Sequence, residues 1–133
     1  PMYSLGHNFI PDKIHAGGLR YHGAGVLVSQ LLKDGLVEAK AKFQRECFEG
    51  GVLFARTEGI IVAPETSHAV RTAIDEAIKC KKSGEDKSIL FNCSGHGNFD
   101  MSAYDAFYAG QLVDYEYPDE LIKEAIGRIP KIQ

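Results

Sequence analysis

Cysteine is sparse. The 133 residues hold three, Cys47, Cys80 and Cys93, with neither the close pairs of a metal ligand set nor the spacing of a disulfide framework. That excludes a stapled secreted mini-domain and points to a reducing, cytoplasmic compartment. A charge excess of one sign is also lacking. The formal net charge is -3, with no dominant basic patch, so nucleic acid is not an expected partner. No apolar run approaches the roughly 20 residues that span a bilayer, and no membrane association is expected. The opening Pro1-Met2-Tyr3-Ser4-Leu5-Gly6-His7 has no charged-then-apolar leader pattern and no strand or helix signal; it reads as a chain cut in mid-protein, the alternative being a natural short frame. Internal repeats and low-complexity linkers are missing too. What is present is one domain's worth of residues, 44% of them hydrophobic, enough to bury a core.

Residues 1–23, rich in Gly, His and Pro, read as an extended loop. Ala24, Leu27, Val28 and Leu31 begin a helical spacing that Gly35 stops. Residues 36–43 alternate apolar and charged, as a half-buried strand does. A second helix over 44–57 places Phe48, Val52 and Ala55 on one face and carries Gly50 and Gly51 inside it. Glycine there costs about 1 kcal/mol relative to alanine, which calls for a reason: close approach of another backbone, or a ligand against that face. Glu58-Gly59 closes the helix. Pro64 and Glu65 suit a following first turn, and Val70, Ala73, Ile74, Ala77 and Ile78 continue it to Lys81 and Lys82. Residues 88–93 read as a buried strand. Asp100 caps a helix through about Gln111, and Pro118-Asp119-Glu120 opens a last one that ends at Gly127. Helices alternating with short apolar strands predict an α/β fold, a short parallel sheet flanked by helices.

Ser94-Gly95-His96-Gly97 is the strongest chemical signal. It follows the expected strand and precedes a helix, where open α/β sheets bind ligands. The plainer reading is a tight strand-to-helix turn. It is not a dinucleotide fingerprint, because Asp100 stands where the third glycine belongs. Glu58 is the second candidate, a carboxylate ending a helix before an apolar stretch, where partial burial would raise its pKa; the alternative is an ordinary surface group. The five histidines show no zinc-protease spacing, and no G-x-S-x-G elbow occurs.

Three stretches together resemble the tryptophan synthase β family in its longer, second type. They are His15-Ala-Gly-Gly-Leu-Arg-Tyr-His-Gly23, Thr57-Glu-Gly-Ile-Ile-Val-Ala-Pro-Glu-Thr-Ser-His-Ala69 and Phe91-Asn-Cys-Ser-Gly-His-Gly-Asn-Phe-Asp100. The last is similar to the family's N-L-S-G-R-G-D-K-D loop. The likeness runs nearly end to end and places the chain as one C-terminal segment. Residues 1–23 form a loop with cation- and substrate-side residues, and 24–133 form the α/β body.

The resemblance implies part of a fold-type II pyridoxal phosphate (PLP) enzyme domain that joins L-serine and indole into L-tryptophan. It implies cofactor contacts from Ser94, Gly95, Gly97 and Glu58, with Ser94 at the pyridine nitrogen. It also implies a monovalent cation held by the backbone carbonyls of Leu19, Tyr21 and Gly23. Arg20 lies on the serine side, where many members carry aspartate. The family's H-K-x-N motif with the Schiff-base lysine, and its G-G-G-S-N phosphate cradle, do not occur in this sequence. No catalytic residue is therefore assigned, and the segment is expected to be inactive alone. Its expected partners are the N-terminal portion of the same enzyme and further copies in a homo-oligomer. The alternative is a stand-alone, non-catalytic α/β binding or assembly module.

Overall fold

Two glycines inside one helix set the packing of the longest helix pair. In the computed structural model, which describes residues 2–130, α1 is Val26–Lys33, α2 Gln44–Glu58, α3 Pro64–Ser83, α4 Met101–Tyr108 and α5 Asp119–Gly127. Helix α2 packs along α3. A Cβ on Gly50 would stand 3.3 Å from the Arg71 Cα, and one on Gly51 would stand 2.6 Å from the Ser67 Oγ. Close approach of the α3 backbone is therefore the reason for Gly50, and the side chains of Ser67 and Tyr104 are the reason for Gly51.

The contacts divide the described residues into two units, 14–17 with 42–114, and 2–13 with 18–41 and 115–130. The first contains α2, α3 and α4. Its core is Phe48, Ala103, Tyr104 and Leu112, flanked by Val52, Ile61, Ala106 and Phe107. Phe48 meets Tyr104 edge-on at 5.0 Å and stacks on Phe107 at 5.8 Å. Gln44, 6% exposed, fastens the segment after α4: its amide nitrogen donates to the Val113 carbonyl, and its oxygen accepts the His15 N–H at 3.3 Å. Helix α3 starts on Pro64 and ends at Gly84, whose φ of 72° places it in the left-handed region where glycine caps helices at little cost. Lys81 and Lys82 lie in its last turn, favourable to the helix dipole.

In the second unit, Tyr3 to Leu5 run beside His22 to Ala24. The Leu5 N–H donates to the His22 carbonyl at 2.8 Å, and the Ala24 N–H to the Tyr3 carbonyl at 2.9 Å. Helix α1 is inverted: Ser29 is its buried residue, while Val26, Leu27, Val28 and Leu31 are exposed. A cavity of about 490 Å³ lies between residues 4–10 and α5.

The two expected strands do not form. Among the described residues the only β pairing is two isolated antiparallel bridges, Ser4 with Gly23 and Val62 with His96. Residues 36–43 and 88–93 carry no ladder, and Leu90 is 98% exposed. A strand satisfies its backbone only through a neighbouring strand, and the described residues supply none. The short parallel sheet is thus not seen, and the architecture is mainly helical. Helix α4 is also shorter than expected, ending at Tyr108, and the Asp100 side chain does not cap it; the Asp100 carbonyl instead accepts from the Ala103 and Tyr104 N–H groups. Among the described residues no helix is long and apolar enough to cross a membrane.

Candidate functional site

The glycine loop and the Ile60–Ser67 stretch come together at the N-terminus of α3. Three contacts fix them. The Gly97 N–H donates to the Ile61 carbonyl at 2.9 Å. The Thr66 hydroxyl donates to the Ser94 carbonyl. The Tyr104 hydroxyl, from α4, donates to the Val62 carbonyl at 2.6 Å. Thr66 is 2% exposed, and the Tyr104–Val62 bond is buried, which shields it from competing water. Burial pushes the Tyr104 phenol up from its ordinary range, and its hydrogen bond with Ser67 offsets part of that.

Gly95 has a φ of 74°, a conformation that side chains rarely adopt, and a Cβ there would lie 3.3 Å from the Ala63 Cβ. A Cβ on Gly97 would fall 2.5 Å from the Val62 carbonyl oxygen and 2.7 Å from the Ile61 Cγ2. Each glycine is therefore already required by the chain's own turn and packing. Ser94 differs. Its backbone is held, its side chain is exposed, and its hydroxyl makes no hydrogen bond among the described residues. That leaves a neutral donor and acceptor on a fixed backbone. At the turn's tip, His96 Nδ1 accepts the Asn98 N–H at 3.2 Å.

Glu58 ends α2 in the same unit and is exposed; the partial burial expected for it is not found. Leu19, Arg20, Tyr21 and Gly23 belong to the other unit. The Arg20 guanidinium braces its own loop, donating to the carbonyls of Asp12 at 2.8 Å and Pro11 at 2.9 Å. Leu19 and Tyr21 are exposed. Gly23 is packed so closely that a Cβ would meet the Met2 Cε at 2.7 Å. Thr66 and Tyr104, which position the loop and the segment beneath it, escaped the sequence reading. Each acts on a carbonyl or a packing gap that no local pattern marks.

No family model matches the chain. Individual proteins do. It is 60% identical over 113 residues to the tryptophan synthase beta chain 2 of Aquifex aeolicus, covering 85% of this chain and 26% of that protein. It is 58% identical over 112 residues to the protein of the same name from Methanosarcina acetivorans, covering 84% and 25%. The tryptophan synthase beta chain of Pyrococcus horikoshii is 51% identical over 115 residues, covering 86% and 25%. The chain thus spans about a quarter of the length of these curated relatives. Identity at that level over most of its residues settles its descent: the chain belongs to the tryptophan synthase beta chain family.

Proposed function

We propose that this chain is the C-terminal part of a PLP-dependent tryptophan synthase that joins L-serine and indole into L-tryptophan and water. It supplies one wall of the cofactor site. The observation that carries this reading is the Ser94 hydroxyl, unengaged among the described residues, on a backbone fixed by Thr66. When bound, PLP supplies the electron sink that β-replacement at serine needs. A serine hydroxyl suits its pyridine nitrogen: being neutral, it does not hold a proton there as a carboxylate would. Glu58 lies beside the ring in this reading, and Gly95 and Gly97 line its approach. Arg20 serves the serine side. The carbonyls of Leu19, Tyr21 and Gly23 hold a monovalent cation. These roles rest on the match of residues to the family's motifs.

The fit is partial, because the lysine motif and phosphate cradle are absent from this sequence. Those parts come from the remainder of the enzyme, in a cytoplasmic homo-oligomer. The chain alone positions a cofactor edge and turns nothing over. The test is to supply purified chain with PLP, L-serine and indole, alone and co-expressed with the unmatched remainder of the Aquifex aeolicus relative. Tryptophan is expected only from the combination, and Ser94→Asp in it should shift the cofactor's absorbance. Turnover that follows the isolated chain through gel filtration would overturn the reading.

A further inference from the structure

The loop that presents Ser94 is pinned at two points. Thr66 holds the Ser94 carbonyl, and the Gly97 N–H donates to the Ile61 carbonyl at 2.9 Å. Between the pins lie Gly95, at a φ of 74°, and His96. Glycine is permissive in both of its torsions, so the pins alone do not fix the peptide planes between Ser94 and Gly97. His96 supplies a third restraint. Its backbone bridges to Val62, and its ring folds back over the turn. Nδ1 accepts the Asn98 N–H at 3.2 Å, which caps the short helical turn Gly97–Phe99. The Phe99 ring stands 5.2 Å away, tilted by 43°.

Caps of this kind are usually made by Ser, Thr, Asp or Asn, whose oxygens keep a lone pair for the amide at any pH. An imidazole differs. Its nitrogen accepts only while it carries no proton, so the bond from Asn98 places the neutral ring's one proton on Nε2. A second proton has to enter at Nδ1, where N–H would then face N–H. His96 is exposed, so solvent protons reach it. The segment opposite, Ile60 to Pro64, has no charged side chain. The titratable groups on the elements packed at this junction are Cys93 and Asp100 of the loop, Glu65 and His68 of α3, and Tyr104 of α4. We infer that His96 is a positioning residue for the cofactor edge: its neutral, Nε2-protonated ring holds the loop that aims the Ser94 hydroxyl, and protonation of the ring releases that loop. The inference rests on the enzyme reading proposed above and gives its site a proton-sensitive latch.

The experiment starts from the full chain, in which nitrogen NMR reads the ring directly. The neutral form should carry its proton on Nε2, and the Asn98 amide should shift in step with the ring's own titration. His96→Asn keeps an acceptor for that amide and has no proton to gain, so there the step should vanish. The second arm adds the unmatched remainder of the Aquifex aeolicus relative, and PLP. His96→Ala should weaken PLP retention about fivefold, the worth of one helix cap, and His96→Asn should restore it. The parent's extra loss of cofactor on protonation of the ring should be absent from His96→Asn. A proton on Nδ1, or an Asn98 amide indifferent to the titration, would overturn the inference and leave the enzyme reading standing. So would a His96→Ala combination with the parent's PLP affinity and absorbance, where Ser94→Asp still changes that absorbance. A combination that binds no PLP would fell the enzyme reading and the inference with it.

Discussion

The Tyr104 hydroxyl donates to the Val62 carbonyl at 2.6 Å, directly beneath Gly97, and both residues are buried. One side chain of α4 thus holds the segment on which the glycine loop rests. Tyr104→Phe keeps the ring's packing on Phe48 and removes the donor, which leaves a buried carbonyl without its partner. The expected cost is about 1–3 kcal/mol, read as a lower denaturation midpoint with an unchanged slope. A variant as stable as the parent would show that the bond contributes nothing.

Gly97 tests the same junction from above. Gly97→Ala must push against the Val62 carbonyl and Ile61, both nearer than a real Cβ tolerates. A loss of about 1–3 kcal/mol is expected from overpacking. Gly17→Ala is the control: nothing lies within 4 Å of its Cβ position, and its stability should change by no more than about 0.5 kcal/mol.

The helices were legible in the sequence. Apolar spacing placed α2 and α3 within a residue or two, and of the Gly50-Gly51 pair it is Gly50 that marks a close backbone, while Gly51 makes room for the side chains of Ser67 and Tyr104. The strands were misread because β character in 88–93 describes what the segment fits, and a ladder also needs a partner that no local pattern supplies. The glycine loop stood out by its residues. The clamp beneath it did not, since Thr66 and Ser94 are 28 residues apart and Tyr104 and Val62 are 42 apart. At Gly95 and Gly97, the plainer reading of a tight turn accounts for the glycines by itself.

Asp75 contributes stability that acid removes. Its hydrogen bond from Arg71, then that from Lys42, hold its carboxyl at about 2, against an ordinary 3.8. The folded value is the lower one, so the unfolded chain takes up the proton first as pH falls. The stability due to Asp75 is therefore full above about pH 4 and is lost between 3.8 and 2. The difference in unfolding free energy between the parent and Asp75→Asn should be constant at neutral pH and shrink across that window. A difference that does not vary with pH would count against the ion pairs.

His68 acts near neutrality. Burial lowers its pKa from 6.5, with Glu65 pulling weakly the other way. Here the neutral form is favoured in the fold, so the unfolded chain binds the proton first as pH drops below 6.5. Stability should fall across that range, and His68→Gln should flatten the decline. An imidazole that titrates at or above 6.5 by NMR in the folded chain would refute this.

Helix α1 offers a test in which the usual rule of burial runs backwards. Its polar Ser29 is 1% exposed and accepts the Tyr3 N–H at 3.1 Å, while Leu27 is 80% exposed. Ser29→Ala strands that N–H and should cost about 1–3 kcal/mol. Leu27→Gln removes a large apolar side chain yet should leave the chain's own stability within about 0.5 kcal/mol. The two variants should also separate in association. Val26, Leu27, Val28 and Leu31 leave α1 with an apolar surface of the kind that marks contacts, so sedimentation should show concentration-dependent self-association that Leu27→Gln weakens and Ser29→Ala does not. A parent chain that stays monomeric at every concentration would remove the self-association half of this prediction. A costly Leu27→Gln would remove the other half, by showing that the leucine is covered in the folded chain.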